Sequence, residues 1–147
     1  MKKGVDYVGV TVTFICHDGS GNFLMQLRGK NCRDEQGTWD VGGGGLELHD
    51  TVEHTLLKEI KEEYSVLCGE TQFLGYRDMH RIDNGVPTHW VALDHFVHVD
   101  REKVKNGEPH KFDDIGWFTL DTLPAQLHSG AKAMLERYNE LLRVRKK

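Results

Sequence analysis

The chain has 147 residues, of which 38% are hydrophobic and 29% are charged, and its formal net charge is −4. This length and balance fit a single globular domain spanning residues 1–147, and they exclude a fibrous or disordered chain. The negative charge gives no general attraction to a nucleic-acid backbone, and no run approaches the roughly 18 apolar residues of a membrane span, so we expect neither a nucleic-acid polymer nor a membrane as partner.

The first predicted elements are strands. Residues 5–15, VDYVGVTVTFI, are β-branched and aromatic, and residues 23–28, FLMQLR, return after the turn HDGSGN. This pattern predicts a β-hairpin. A loop, GKNCRDEQG, then leads through the extended piece TWDV into four glycines at positions 42–45. Between a strand and a helix a flexible loop gains little, so we expect the glycines to form a shaped turn.

Residues 50–64, DTVEHTLLKEIKEEY, have the periodicity of an amphipathic helix. Asp50 is the expected N-cap, and Glu53 completes a capping box three residues later. An apolar stripe recurs every fourth residue, and Leu57 widens it. The stripe consists of Val52, Leu56, Ile60 and Tyr64.

Three further strands and a second helix follow. We expect strands at residues 71–79, 88–99 and 115–120, the second of them in the centre of a sheet, and a helix over residues 129–145. The apolar face of this helix comprises Ala131, Met134, Leu135, Tyr138, Leu141 and Leu142. The order of strands, helix, strands and helix predicts the α+β class, with a mixed sheet between helices.

Cysteines and histidines give no sign of a zinc site. The three cysteines are odd in number and form no CxxC, so we expect no disulfide framework and a reducing, cytoplasmic compartment. Three histidines lie in one predicted strand but on two faces of it, which argues against a single zinc site and favours packing or substrate-edge roles. These are His89, His95 and His98.

Three carboxylates, Glu59, Glu62 and Glu63, lie within five residues of the first predicted helix. At ~100° per residue they share one narrow face. Taken alone, such a run of charge is more typical of a solvated helix face. The alternative is a site for Mg²⁺ or Mn²⁺, which prefer clustered oxygen ligands and bridge to substrate phosphates.

The segment from Gly44 to Val66 favours the metal site because it resembles the Nudix box, Gx5Ex7REUxEExGU, in which U is a bulky aliphatic residue. Here Gly44 is followed by five residues, Asp50, seven residues and KEIKEEYSV, so the spacing is met throughout. The departures are Asp50 for Glu, Lys58 for Arg and Ser65 for Gly. The resemblance implies a Nudix-like α/β/α sandwich in which helices flank a central mixed β-sheet.

The resemblance also implies a hydrolase that cleaves a pyrophosphate bond in a nucleoside diphosphate linked to another moiety, as in nucleoside di- and triphosphates and nucleotide sugars. Glu59, Glu62 and Glu63 would hold Mg²⁺ or Mn²⁺, with the Gly44 carbonyl as a further ligand, and the ions would neutralise the diphosphate and activate a water. In many family members the box arginine orients a catalytic glutamate. Lys58 supplies the positive charge but not the planar pair of N–H donors with which an arginine binds both oxygens of a carboxylate. Dimerisation is common in the family, so a homodimer stays open.

The general base and the substrate-binding residues stay open at this point. Glu59 is the first candidate for the base, and acids of a later loop are the alternatives, although a polar surface loop explains each of them too. Arg28 and Arg33 are candidates for contact with the substrate phosphates. Glu47, which lies beside the glycines, is a candidate for a further ligand of the metal at the substrate-binding site. The later acids are Glu108, Asp113 and Asp114.

Two other functions fit the residues less well. A nucleotide-binding sensor or interaction module on the same fold is expected to have a degraded box, whereas Glu62 and Glu63 are both present. A non-hydrolase such as isopentenyl diphosphate isomerase uses a different cysteine and glutamate arrangement, for which the chain has no obvious counterpart. The enzyme interpretation therefore leads.

Overall fold

The computed structural model describes residues 1–143. Within that range the elements are β1 Gly9–His17, β2 Phe23–Arg28, β3 Trp39–Asp40, β4 Gly42–Gly45, α1 Val52–Tyr64, β5 Thr71–Asp83, β6 Val86–His98, β7 Phe112–Phe118, α2 Ser129–Arg137 and α3 Asn139–Leu142. Short 3₁₀ turns occupy Arg101–Lys103 and Leu120–Thr122. No helix among the described residues is long and apolar enough to cross a membrane.

The strands form one mixed sheet in the order β3-β2-β1-β6-β5. β1 pairs antiparallel with β2, which confirms the predicted hairpin, and parallel with β6. β4 pairs with β1, and β7 pairs with β2, both antiparallel. β6 lies between β1 and β5, so its predicted interior position is confirmed, as is the α+β class.

The side chains of β1 build two cores because successive residues of a strand point to opposite faces. Phe14 is buried in one cluster with residues of α1, and Ile15 is buried in a second cluster with residues of α2. The α1 residues are Leu56, Ile60 and Tyr64, and the α2 residues are Ala131, Met134 and Leu135. Helices therefore cover both faces of the sheet, as an α/β/α sandwich requires.

The N-terminus of α1 differs from the prediction by one residue. Thr51 is the N-cap, and its side chain accepts a hydrogen bond from the His54 amide at 3.0 Å. Asp50 instead accepts from the Thr51 amide at 2.8 Å and pairs with Nδ1 of His54 at 2.7 Å. The predicted capping box of Asp50 and Glu53 is therefore wrong. Leu57 is also 42% exposed, so the buried stripe is narrower than predicted.

The four glycines form strand β4 rather than the predicted turn. Their lack of a side chain serves close approach of the backbone to other groups. A Cβ on Gly42 would overlap the ring of Phe14, and a Cβ on Gly44 would overlap the carboxyl group of Glu59. The glycines thus let α1 and its carboxylates lie directly against the sheet.

The second predicted helix is split at Tyr138. α2 ends at Arg137 and α3 begins at Asn139, with Tyr138 between them at φ −110° and ψ 24°. The Tyr138 hydroxyl donates to Asp94 of β6 at 2.7 Å. The predicted helical residues 144 and 145 lie outside the described residues.

A loop after β6 closes the C-terminus of α1. The Lys105 amide donates to the Tyr64 carbonyl and the Gly107 amide donates to the Glu63 carbonyl, both at 2.9 Å. These bonds satisfy carbonyls that the end of a helix leaves without intrahelical partners. They also bring Glu108 to the end of the helix that carries the glutamates.

Ser65→Gly is expected to stabilise the protein by about 1 kcal/mol. Ser65 ends α1 in the left-handed conformation, at φ 55° and ψ 34°, which glycine adopts without the steric cost of a Cβ. Urea unfolding measures the gain. Ser65→Ala keeps the Cβ and is the matched control, so a glycine variant no more stable than the alanine variant would contradict this explanation.

Candidate active site

Three of the glutamates of α1, Glu59, Glu62 and Glu63, lie on one face but differ in burial. Glu63 is only 2% exposed, Glu59 is half-buried and Glu62 is exposed. Glu63 accepts a hydrogen bond from Nε2 of Gln26 at 3.0 Å and another from the Gly43 amide at 3.4 Å. Glu63 therefore faces the glycine backbone of β4 and the polar side chain of β2, and the carboxyl group of Glu59 lies against Gly44.

Burial and mutual repulsion raise the pKa of two of these glutamates. Desolvation raises the pKa of Glu63 well above its ordinary value of 4.5, the hydrogen bond from Gln26 opposes this, and the charges of Glu59 and Glu108 raise it further. Desolvation and the charge of Glu62 likewise raise the pKa of Glu59. A divalent cation would compensate the repulsion within such a set of carboxylates.

Without divalent metal, Glu63 is expected to make the protein less stable as the pH rises. Its pKa is higher in the folded state than the ordinary 4.5, so its stabilising contribution is present below that value and is lost as the pH rises through the folded-state pKa. Glu63→Gln keeps the shape of the side chain and does not titrate. The excess stability of this variant over the wild type should therefore grow with pH.

Urea unfolding of both proteins in EDTA, from about pH 4 to about pH 9, measures this difference. Titrations of groups that do not interact with Glu63 cancel in the comparison, and the repulsion between Glu63 and Glu59 changes the difference in the same direction. A difference in free energy of unfolding that stays constant over the range would contradict the prediction.

Of the late-loop acids, Glu108 lies with the glutamates. Its charge raises the pKa of both Glu59 and Glu63, which places it close to both. Asp113 and Asp114 lie further along the chain, as exposed residues of β7. The tertiary structure thus brings together four carboxylates from two separate segments.

A cleft of about 370 Å³ opens beside Glu63 and the glycines of β4. A second cavity of about 310 Å³ adjoins it and shares Met79 as a wall residue. Positive charge beside clustered carboxylates suits a ligand that carries phosphate groups together with a divalent cation. The cationic residues of the cleft wall are Arg28, Arg33, Arg77, Arg81 and Lys111.

Arg77 is held in the cleft wall by a buried carboxylate. Its side chain is 8% exposed, and its Nε and Nη2 donate to the two oxygens of Asp94 at 2.7 and 3.0 Å. Asp94 is fully buried and also accepts from the hydroxyl groups of Tyr138 and Thr13. This network fixes the guanidinium group, because removing any partner would leave a buried polar group unpaired.

The chain matches the family model of the NUDIX domain over residues 8–138. It belongs to the Nudix family. The resemblance seen in the segment Gly44 to Val66 is thereby confirmed, since the match covers most of the chain. The match to the family model and the similarity to the MutT-like structures described below identify the protein as a Nudix-type pyrophosphohydrolase, an enzyme that acts on phosphoric anhydrides.

Several solved Nudix structures are similar to this one. A MutT NUDIX hydrolase from Burkholderia pseudomallei has a TM-score of 0.78 at 28% identity, over 89% of this chain and 98% of that one. The NUDIX domain of Shewanella oneidensis NrtR, solved with ADP ribose, has a TM-score of 0.71 at 18% identity, over 97% and 90% of the two chains. The MutT protein from Methanosarcina mazei Go1 has a TM-score of 0.69 at 20% identity, over 92% and 96%. At their identities, the last two show the fold alone.

Two residues predicted from the Nudix box and its flank form ion pairs outside the glutamate cluster. Nζ of Lys58 lies 3.7 Å from Oδ2 of Asp50, so two of the three residues that depart from the usual box form an ion pair with each other. The charge of Lys58 also lowers the pKa of Glu59, against the larger effects that raise it. Glu47 is exposed and pairs with Lys3 at 2.9 Å.

Arg28, a predicted phosphate contact, lies in the wall of the cleft beside Glu63 and forms ion pairs with two acidic residues. Its Nη2 is 2.8 Å from Asp34, and its Nη1 is 3.3 Å from Asp40. Burial raises the pKa of Asp40, and the charges of His128 and Arg28 oppose this. Arg28 thus connects the loop after β2 to β3 at the edge of the cleft.

Sequence reasoning missed four residues of the Nudix cleft: Gln26, Arg77, Arg81 and Lys111. A signal for two of them was present, because Arg77 and Arg81 alternate along β5 and so share one face. Gln26 was a polar residue within the otherwise apolar run FLMQL. Lys111 carried no such signal, since its position depends on the loop between β6 and β7.

Proposed function

We propose that this Nudix protein hydrolyses a pyrophosphate bond in a nucleoside diphosphate linked to another moiety, with Mg²⁺ or Mn²⁺ as cofactor. Nucleoside di- and triphosphates and nucleotide sugars are the substrate class. The observation that carries the proposal is the position of Glu63, with Glu59 and Glu108 near it, in the wall of a cleft that also contains arginine and lysine side chains. Carboxylates suit the cation, and basic side chains suit the diphosphate.

The donor set fits a hard divalent cation. Glu59, Glu62 and Glu63 offer carboxylate oxygens, whereas the Gly44 carbonyl, the further ligand that the family resemblance implies, already accepts from Oγ1 of Thr11 at 3.1 Å. Oε1 of Gln26 is buried beside Glu63 and has no hydrogen-bond partner among residues 1–143. Oxygen donors of this kind favour Mg²⁺ or Mn²⁺. When bound, the ion supplies neutralisation of the diphosphate charge and activation of the attacking water.

The chain's own residues position the substrate and accept a proton. Arg77 is fixed by Asp94 and donates toward phosphoryl oxygens, where charge increases during the reaction. Glu59 is our first candidate for the general base, because a carboxylate with a raised pKa accepts a proton more readily. Lys58 is a positioning residue, whose charge acts on Glu59 from its pair with Asp50.

Glu108 is the alternative base. Glu59→Gln and Glu108→Gln, assayed side by side, separate the two assignments by their residual kcat. If Glu108→Gln loses more activity than Glu59→Gln, and if its activity is no longer pH-dependent on the acid side, the base is Glu108.

A substrate panel tests the proposed activity. Nucleoside di- and triphosphates, nucleotide sugars and ADP-ribose, the ligand bound in the NrtR structure, are incubated with tag-free protein in Mg²⁺, in Mn²⁺ and in EDTA. The expected result is metal-dependent release of phosphate, pyrophosphate or a nucleoside monophosphate. Binding without turnover would contradict the proposal and favour the sensor alternative. The span of the domain over residues 1–147, a cytoplasmic location and a homodimer stay predictions.

A further inference from the structure

A second cluster of metal-ligating side chains lies on the β5–β6 hairpin, outside the glutamate site. Asp78, His80 and His89 each offer one ligand atom, and these atoms all lie within 4.8 Å of one another. Nε2 of His89 is 2.8 Å from Oδ1 of Asp78. The ring centroids of His80 and His89 are 4.2 Å apart.

The register of the hairpin holds these side chains together. His80 and His89 are directly opposite each other on β5 and β6. Asp78 precedes His80 by two residues, so it points to the same face of the sheet. Arg77 and Arg81, which line the cleft, alternate with them and point to the other face. The cluster therefore lies on the back of the strand that forms the cleft wall.

We propose that Asp78, His80 and His89 bind a divalent transition-metal ion of the Zn²⁺ type, at a site separate from the glutamate cluster. Imidazole together with carboxylate suits Zn²⁺, Ni²⁺ or Cu²⁺, whereas Mg²⁺ prefers oxygen ligands alone. Tetrahedral zinc with bonds of about 2.1 Å places its ligand atoms roughly 3.4 Å apart. The three ligand atoms, which lie within 4.8 Å of one another, reach this spacing by rotation of the side chains, and the ion replaces the proton shared by His89 and Asp78.

The exposure of the cluster supports its availability. The side chains of His89 and Asp78 are 37% and 51% exposed, so water completes the coordination and ions reach the site from solvent. An ion bound here joins β5 to β6 and stabilises the folded state in proportion to the logarithm of its concentration.

Among the described residues, another group of this kind, Asp34, Glu35 and His128, has a structural role instead. Glu35 accepts from the amide and the hydroxyl of Ser129 at 2.9 and 2.7 Å. Nδ1 of His128 accepts from the Gly130 amide at 3.0 Å. These bonds hold the N-terminus of α2, and a metal would have to displace them. The hairpin cluster requires the loss of one exposed hydrogen bond only.

Calorimetric titration of the tag-free full chain with Zn²⁺, in saturating Mg²⁺, tests the proposal. The expected result is one equivalent of zinc bound, with affinity reduced at least about tenfold in His80→Gln and in His89→Gln. His110→Gln, which changes an exposed histidine of another loop, is the matched control and should bind zinc as the wild type does. Zinc should also raise the melting temperature of the wild type and of the control only.

Imidazole NMR signals of the wild type give a second measurement that needs no variant. Signals of His80 and His89 should shift before those of the other histidines as zinc is added. The proposal is overturned if the wild type binds no zinc, if both hairpin variants bind it with unchanged affinity, or if other histidines respond first.

Discussion

Glu63→Gln is expected to reduce metal-dependent hydrolysis at least about 100-fold while the fold stays intact. Glu63 is buried beside Gln26 and the β4 backbone, and it lies with Glu59 and Glu108 around the proposed cation site. Glutamine keeps the shape of the side chain and removes the charge that the cation requires. The measurement is kcat/KM with the best substrate of the panel in saturating Mg²⁺.

Glu53→Gln is the matched control for this experiment. Glu53 lies on the same helix, in its exposed first turn, and about 120° around the axis from Glu59. Its replacement changes the net charge by the same amount but should leave kcat/KM unchanged. Activity of Glu63→Gln within about threefold of the wild type would remove Glu63 from the mechanism, since the loss of a metal-ligating carboxylate costs more than that.

Gly42→Ala is expected to destabilise the protein by about 3 kcal/mol. A Cβ at this position overlaps the ring of Phe14, which is fully buried. The ring cannot move aside, because it packs in the core against Tyr64 and other residues of α1. The strand, the ring or the helix must shift, and each shift loses packing contacts. Urea or thermal unfolding measures the loss.

Gly45→Ala separates this overlap from a general effect of alanine in β4. Gly45 is in the same strand, and among residues 1–143 nothing lies within 4 Å of a Cβ built there. We expect its stability to stay within about 0.5 kcal/mol of the wild type. Equal destabilisation by the two alanines would show that the close packing against Phe14 is unimportant.

Local patterns of the sequence were sufficient for most of the secondary structure. The residues of β2 were predicted with the bounds that the structure has, because the turn HDGSGN on one side and the loop GKNCRDEQG on the other mark both ends. The period of α1 and the spacing of its box identified Glu59, Glu62 and Glu63 as one helix face, since that relation depends only on helix geometry. The family followed from the same spacing.

Local patterns failed where backbone choices depend on distant neighbours. The glycines were predicted to turn, yet they form β4, because β1 supplies the hydrogen bonds and Phe14 and Glu59 occupy the space above them. The second helix was predicted to be continuous, yet it breaks at Tyr138, whose hydroxyl bonds to Asp94 in the sheet. In both cases the residues that determine the backbone conformation are distant in sequence: β1 and Glu59 for the glycines, and Asp94 for Tyr138.

Tertiary contacts determine which residues meet at the glutamate site and in the hairpin cluster. Glu108 was indistinguishable from Asp113 and Asp114 in the sequence, and only the closing of the loop onto the end of α1 places Glu108 beside the box. His80 meets His89 because of the strand register, which a single strand does not specify. The physical reason is general: periodicity within one element determines its faces, whereas pairing between elements determines which faces meet.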